Sequence, residues 1–400
     1  MKNGWQTRTL ADVCQIKPPK SEARESVAAD ALVSFVPMED LGIDRKFLNA
    51  TQTKELSSVV GSYTYFADGD VLLAKITPCF QNGKLGIASD LSNGVGFGSS
   101  EFIVFRPNGS VDREYLYYYL SRDSFRREGV KRMGGAVGHQ RVPKEFIESY
   151  PIPFPPRPEQ RRIVGILDEA FAGIATAKSN AEKNLQNARA LFESHVNAVL
   201  RSKKWKWKTL GDLCDGVEYG SSAKSKAEGN IPVLRMGNIQ DGTLDWEKLV
   251  YTDDKDEIAK YLLKHNDVLF NRTNSPELVG KTAIYKSEMP AIFAGYLIRI
   301  HRKEDLLDGD FLNYFLNSQI ALDYGKTVVI SSVNQANING AKLKGYPIPA
   351  PSISEQRGVV KTLGGLQEET QRLESIYQRK LAALDELKKS LLHQAFSGKL

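Results

Sequence analysis

The chain repeats itself. Tyr150-Pro151-Ile152-Pro153 returns as Tyr346-Pro347-Ile348-Pro349, and Glu159-Gln160-Arg161 returns as Glu355-Gln356-Arg357, both at an offset of 196 (346 − 150 and 355 − 159). Two motifs in one register mean duplication, and a duplicated chain builds one scaffold twice. Further anchors keep the same order with small drifts in offset. Trp5, Thr9, Leu10, Asp12 and Cys14 match Trp205, Thr209, Leu210, Asp212 and Cys214. Asp70-Val71-Leu72 with Gly83-Lys84 matches Asp267-Val268-Leu269 with Gly280-Lys281, and Tyr115-Leu116-Tyr117-Tyr118-Tyr119-Leu120 matches Phe311-Leu312-Asn313-Tyr314-Phe315-Leu316. Between these anchors the copies diverge: Ile76-Thr77-Pro78-Cys79-Phe80-Gln81-Asn82 stands against Thr273-Asn274-Ser275-Pro276-Glu277-Leu278-Val279. One scaffold therefore carries two different surfaces.

Within each copy, short apolar runs (71–74 and 102–105; 268–270 and 297–300) alternate with Gly, Asn and Ser turns. That pattern predicts strands with a few helices, such as 113–127 and 309–323, so each copy reads as a mixed α/β globule. The proline-rich exits at 151–158 and 347–351 cannot be helix interiors, because proline lacks the N–H donor and keeps its predecessor extended; they read as rigid connectors. After each exit the apolar residues step by three, four and seven. Ile163, Leu167, Phe171, Ile174, Ala181, Leu185, Ala188, Phe192, Val196 and Val199 form one helical stripe, and Leu366, Leu373, Tyr377, Leu381, Leu384, Leu387, Leu391 and Ala395 form another. A helix of about 40 residues is about 60 Å long and cannot bury such a stripe alone. The simplest partner is the other stripe, and chain order makes that pair antiparallel. The expected fold is α+β: two mixed α/β domains separated by two long antiparallel coiled-coil helices, a pseudo-two-fold internal repeat with one globule at either end. The expected boundaries are 1–155, 156–202, 203–351 and 352–400.

Composition narrows the class. With 41% hydrophobic and 26% charged residues the chain reads as soluble and globular. No apolar stretch approaches the roughly 20 residues that span a bilayer, and Met1-Lys2-Asn3-Gly4-Trp5-Gln6 lacks a signal-peptide core, so a cytoplasmic protein without membrane partners is expected. Cys14, Cys79 and Cys214 form no CxxC or Cys/His cluster and read as buried or idle thiols. A net charge of +6 is compatible with nucleic-acid binding without diagnosing it. Gly94-Val95-Gly96-Phe97-Gly98 lacks the GxGxxG spacing and a following helix, and reads as a flexible strand edge. There is no GxxxxGK[ST], HExxH, GxSxG or Asn/Asp-Pro-Pro-aromatic motif, and His139, His195, His265, His301 and His393 do not cluster in sequence. No catalytic residue, metal ligand or cofactor is expected.

Two loops per copy are candidates for DNA contact. The first copy has a basic, glycine-rich stretch after its aromatic helix, running through Arg126, Arg127, Lys131 and Arg132 to Met133-Gly134-Gly135-Ala136-Val137-Gly138-His139-Gln140-Arg141. Arg and Lys suit phosphates, while Gln, His and Arg can reach base edges in a major groove. The matching Ser331-Ser332-Val333-Asn334-Gln335-Ala336-Asn337 is polar but uncharged; its amides and hydroxyls either read bases or form turns. The other pair of loops hangs from a strand and ends in Gly-Lys: 75–84, with Lys75, Thr77, Gln81, Asn82 and Lys84, and 271–281, with Arg272, Asn274 and Lys281. The candidate DNA-binding set adds Arg132, His139, Gln140 and Arg141 from the first copy and Ser331, Ser332, Asn334, Gln335 and Asn337 from the second. Lys203-Lys204-Trp205-Lys206-Trp207-Lys208 reads as a solvated helix exit with its tryptophans packed inward.

With Ala74-Lys75-Ile76-Thr77-Pro78-Cys79-Phe80-Gln81-Asn82-Gly83-Lys84, the two Tyr-Pro-Ile-Pro…Glu-Gln-Arg exits and the ending Leu387-Lys388-Lys389-Ser390-Leu391-Leu392-His393-Gln394-Ala395-Phe396-Ser397-Gly398-Lys399-Leu400, the chain resembles the specificity (S) subunit of type I restriction-modification systems over essentially its whole length. The resemblance implies that each globule is a target recognition domain, that each helical segment is a spacer, and that the subunit reads an asymmetric bipartite target in double-stranded DNA. It also implies two methyltransferase (M) subunits on the spacers and restriction (R) subunits completing an ATP-dependent nuclease. Methylation and cleavage, with S-adenosylmethionine and ATP, then belong to those partners; this chain is no enzyme and needs no cofactor. Glu169, Glu182, Glu193, Glu368, Glu369, Glu374 and Glu386, on the polar faces of the helices, are the expected partner contacts. The alternatives are a recognition subunit for a type IIB-like combined nuclease-methyltransferase, and a plain coiled-coil scaffold with no DNA role, which predicts no salt-dependent affinity for duplex DNA; a stand-alone nuclease is disfavoured by the missing metal-carboxylate motif.

Overall fold

The structure, a computed structural model, describes residues 4–136, 138–202, 204–332 and 335–400. The chain forms two compact units, Met1–Ala181 with Arg379–Leu400, and Glu182–Gln378. In the first, the apolar runs become Val71–Ala74 and Phe102–Pro107, paired antiparallel at the centre of a four-stranded sheet and flanked by Leu85–Ile87 and Cys14–Ile16. The second unit repeats that order with Val268–Asn271 and Leu297–Arg302 inside Thr282–Ile284 and Cys214–Tyr219. Each unit also pairs two strands in parallel, Leu32–Val36 with Val95–Gly98 and Ile231–Leu234 with Ile292–Phe293. The duplication is thus one of structure as well as sequence.

Four expectations need correction. The stretch 94–98 is no flexible edge: Val95–Gly98 is an inner, buried strand between Leu32–Val36 and Thr64–Ala67. A Cβ on Gly96 would meet Phe66 at 2.2 Å, so glycine is what lets that ring lie on the strand. The proline exits, expected as rigid connectors, begin as paired strands; Pro151–Phe154 pairs with Gln6–Thr9, and Pro347–Pro349 with Trp207–Thr209. Two-stranded edges tolerate proline's missing N–H. The single helices expected at 113–127 and 309–323 are each two. Arg113–Leu120 stops before Arg122, whose extended backbone (φ −66°, ψ 140°) starts Asp123–Val130, and Gly309–Leu316 gives way to Gln319–Val328 under a Ser318 cap. Apolar periodicity does not register one extended residue. Finally, Trp205 packs on Phe311, but Trp207 remains 46% exposed; Lys203 lies outside the described residues.

The long helices are Arg157–Ser202 and Ile353–Ser397. In the first unit Arg162 donates to the Leu400 carbonyl at 2.8 Å and Lys178 pairs with Asp385, so one helix advances as the other recedes. In the second unit Val196 and Leu200 share a core with Val359 and Leu363, and Arg189 meets Glu374 at 2.7 Å. The helices pack antiparallel in both. Ile163, Leu167, Ile174, Ala181, Ala188 and Val196 are buried, as the first stripe requires. The second stripe drifts: Leu373 and Leu387 are exposed, while Leu392 and Phe396 are buried. A strict seven-residue step slips about 20° per heptad on a helix of 3.6 residues per turn.

The repeated Glu-Gln-Arg has a structural cause. Gln160 is fully buried; its Oε1 accepts from the Asp112 N–H at 2.7 Å, and its Nε2 donates to the carbonyls of Pro155 (2.9 Å) and Ser110 (3.3 Å). Gln356 repeats this with the Asp308 N–H and the carbonyls of Pro351 and Leu306. Asp112 and Asp308 cap the aromatic helices, so each amide ties the root of a long helix to the helix that carries its globule's aromatic core. An uncharged amide supplies the two donations and the one acceptance made here.

Among the described residues no helix is long and apolar enough to cross a membrane, and no group of three or more His, Cys, Asp or Glu is arranged to hold a metal ion. All three cysteines are free; burial pushes the Cys14 thiol up to about 12. Replacing Gln160 with Leu removes the partner of the Asp112 N–H and of the Pro155 and Ser110 carbonyls, and the expected loss is about 2–4 kcal/mol, read from denaturant unfolding of the chain.

Candidate nucleic-acid interface

The two candidate loops of each copy, far apart in sequence, are joined by backbone pairing. At the end of strand Val71–Ala74, the Lys75 N–H donates to the Glu101 carbonyl at 2.9 Å and the Lys75 carbonyl accepts from the Val142 N–H at 3.0 Å. Ile76 lies opposite Arg141, the Thr77 N–H reaches the Gln140 carbonyl, and Arg141 exchanges both backbone bonds with Gly134. The glycine-rich stretch is therefore a hairpin whose returning side is fastened to the other loop.

The second unit builds the same ladder. The Arg272 N–H donates to the Tyr296 carbonyl at 3.1 Å, and the Arg272 carbonyl accepts from the Ile338 N–H at 2.9 Å. Thr273 lies opposite Asn337, and Asn337 opposite Ile330, in a three-stranded sheet of Thr273–Asn274, Gln335–Asn337 and Ile330–Ser332. Position by position, Lys75 corresponds to Arg272, Glu101 to Tyr296 and Arg141 to Asn337. Neither Glu101 nor Tyr296 was singled out from sequence. Each directly precedes an apolar run, and only the strand pairing reveals that it faces the loops.

The side chains at these shared positions differ in chemistry. Arg141, exposed, lays its guanidinium on the Glu101 carboxylate through Nε (2.9 Å) and Nη2 (2.8 Å), while Nη1 donates to the His139 carbonyl at 3.0 Å. Lys75 donates to the Ser100 carbonyl at 2.9 Å and lies 4.0 Å from Glu101. The hydrogen bonds from Arg141 hold the Glu101 carboxyl below its ordinary range, and burial pulls the Lys75 ammonium down. In the second unit Arg272 lies 4.8 Å from the centre of the Tyr219 ring and donates to the Gly295 carbonyl, with its Nε buried and unpartnered. Asn337 donates to Thr273 Oγ1 at 2.7 Å, Asn274 accepts from the Ser275 N–H, and Tyr296 is 50% exposed.

The remaining sequence candidates divide. His139 and Asn82 are exposed, and Gln140 is half-buried. Arg132, exposed, stands over the Phe146 ring and 3.8 Å from Glu128. Gln81 donates to Thr77 Oγ1 and turns its Oε1 inward without a partner. Lys84 is held by the carbonyls of Met38 (2.6 Å) and Glu39 (3.4 Å) rather than by the hairpin, and Lys281 is half-buried at the strand that follows its loop. Ser331, Ser332 and Gln335 belong to the second unit's ladder by their backbones; Asn334 lies outside the described residues.

Two matched ladders bearing unlike polar side chains make the candidate interface a duplicated one. A family model described as Type I restriction modification DNA specificity domain matches residues 2–186 and 202–380, and the chain belongs to that family. The specificity subunit of the type I restriction enzyme EcoEI from Escherichia coli is 32% identical over 265 residues, covering 66% of this chain and 43% of that protein. That of EcoAI, also from Escherichia coli, is 30% identical over 265 residues, covering 66% and 44%. The matches thus span less than half of either relative. A solved chain from work on the assembly and conformational transition of a type I restriction-modification system aligns over 100% of this chain and 99% of its own, with TM-score 0.81 and 20% identity, a likeness of fold.

The Glu101–Arg141 pair has a pH signature. A carboxyl lowered in the folded state contributes stability that is complete above its unfolded value, about 4.3 for Glu, and is lost as pH falls through the lowered folded value. Following the Glu101 carboxyl by NMR should show titration below the ordinary Glu range, returning towards it in Arg141→Gln.

Proposed function

We propose that this chain chooses the DNA sequence on which a type I restriction-modification enzyme acts, and that the two matched hairpin ladders are its reading edges. The observation that carries this is the pairing of one backbone with two side-chain sets: Lys75, Glu101 and Arg141 against Arg272, Tyr296 and Asn337. A scaffold kept constant while its side chains change suits two unlike base sequences. Charged groups at the first edge suit phosphates and guanine edges, and amides with aromatic faces at the second suit adenine edges and thymine methyl groups. The target is then asymmetric and bipartite, with unspecified bases between its halves.

The domains 1–155 and 203–351 do the reading. The helical segments 156–202 and 352–400 receive two methyltransferase subunits, with restriction subunits completing the assembly in the cytoplasm, and the chain itself is non-catalytic. Among the expected helix contacts, Glu374 is engaged with Arg189, Glu386 with Lys389 and Glu369 with Arg372, so Glu169, Glu182, Glu193 and Glu368 are the better candidates.

Methylome sequencing of a host carrying the cognate methyltransferase, with and without this chain, tests the proposal. Two unlike half-sites at a fixed gap, methylated only when the chain is present, are expected. A palindromic target, or an unchanged methylome with both proteins expressed, contradicts it.

A further inference from the structure

Arg141 is the exposed cation of the first reading edge, yet it is not free. Its guanidinium has five N–H donors, and three hydrogen bonds engage it: two to Glu101 and one to the His139 carbonyl. Two donors are left for a ligand, on a side chain whose position is fixed by a partner anchored in the sheet. Glu101 is fixed because it precedes strand Phe102–Pro107 and its carbonyl takes the Lys75 N–H. The carboxylate also offsets the charge of the guanidinium beside it. A free arginine attracts any phosphate, whereas a neutralised, oriented one favours a ligand that offers two acceptors in the right geometry, such as the O6 and N7 of guanine.

The fold does not demand this carboxylate. At the corresponding position of the second unit the same backbone carries Tyr296, whose carbonyl takes the Arg272 N–H as Glu101 takes that of Lys75. The acid therefore belongs to the chemistry of the first edge rather than to the scaffold. Lys75 lies 4.0 Å from Glu101 but is held by the Ser100 carbonyl at 2.9 Å, so the acid's close partner is Arg141.

We infer that Glu101 is a specificity-determining positioning residue: it holds Arg141 for a guanine edge in the first half-site and withholds it from phosphates of unrelated DNA. The inference rests on the hairpin ladder of the first unit being a reading edge. It adds that discrimination there comes from a restrained arginine, with an acid that never touches the base.

The test compares the full-length chain with Glu101→Gln, Arg141→Gln and the double variant, on a duplex carrying the target mapped by methylation and on a scrambled duplex, across a range of salt. Glu101→Gln should bind the scrambled duplex several-fold more tightly, lower the specific-to-scrambled ratio about tenfold, and steepen the slope of log K against log salt by about 0.9, the value for one added phosphate contact. Arg141→Gln should lower the ratio by weakening the target complex, most when the first half-site guanine is intact. In the Arg141→Gln background, Glu101→Gln should change neither ratio nor slope, which a purely structural role would not produce. Glu101→Tyr, which copies the second unit, should behave as Glu101→Gln does and serves if the glutamine variant folds poorly. If Arg141→Gln lowers the ratio while both Glu101 variants leave ratio and slope unchanged, the inference is overturned. If Arg141→Gln alters neither affinity, the reading edge itself is misassigned and the inference falls with it.

Discussion

One backbone ladder governs what this protein can present. Where a central strand ends, the main chain of Lys75, or of Arg272 in the other unit, bonds on one side to the residue before the neighbouring strand of the sheet and on the other to a hairpin arriving from far along the chain. Main-chain bonds are indifferent to side chains, so three positions can vary without loosening the edge. Because the ladder extends a sheet with a buried core, those positions inherit its rigidity, as a binding site must if small differences in base geometry are to matter. Duplication then gives two such edges from one folding solution.

The second constraint is the buried amide at Gln160 and Gln356. A fully buried side chain with its donors and acceptor satisfied by backbone defines one geometry, and here it joins the proline exit, the cap of the aromatic helix and the root of the long helix. The repetition of Glu-Gln-Arg, the strongest signal in the sequence, thus reports architecture rather than chemistry. The motifs that repeat are those that hold the scaffold, and the chemistry lies in the stretches that do not.

Much of the fold was legible because it rests on local or periodic signals. The duplication, the mixed α/β globules and the two long helices follow from motif offsets, apolar runs and steps of three and four. What escaped depended on long-range pairing. Val95–Gly98 read as a flexible edge because glycine signals freedom locally, whereas here it admits Phe66 against an inner strand. Leu373 and Leu387 looked like stripe residues because a heptad template ignores helical drift. The candidate loops were found from their composition, but their union into one edge was not, since residues 75–77 and 140–142 meet only through the sheet. Glu101 and Tyr296 carry no sequence signal of their own. They became visible when the ladder gave them equivalent places in the two copies.

The central claim is that the two hairpin ladders, and no other surface of the chain, lie against the bases. A photoreactive amino acid placed in turn at His139 and at Asn274, in the full assembly bound to its mapped target, tests this directly. Cross-links from position 139 confined to one half-site and from position 274 confined to the other are the predicted result. Cross-links to unspecified bases alone, or from both positions to the same half-site, would contradict the account.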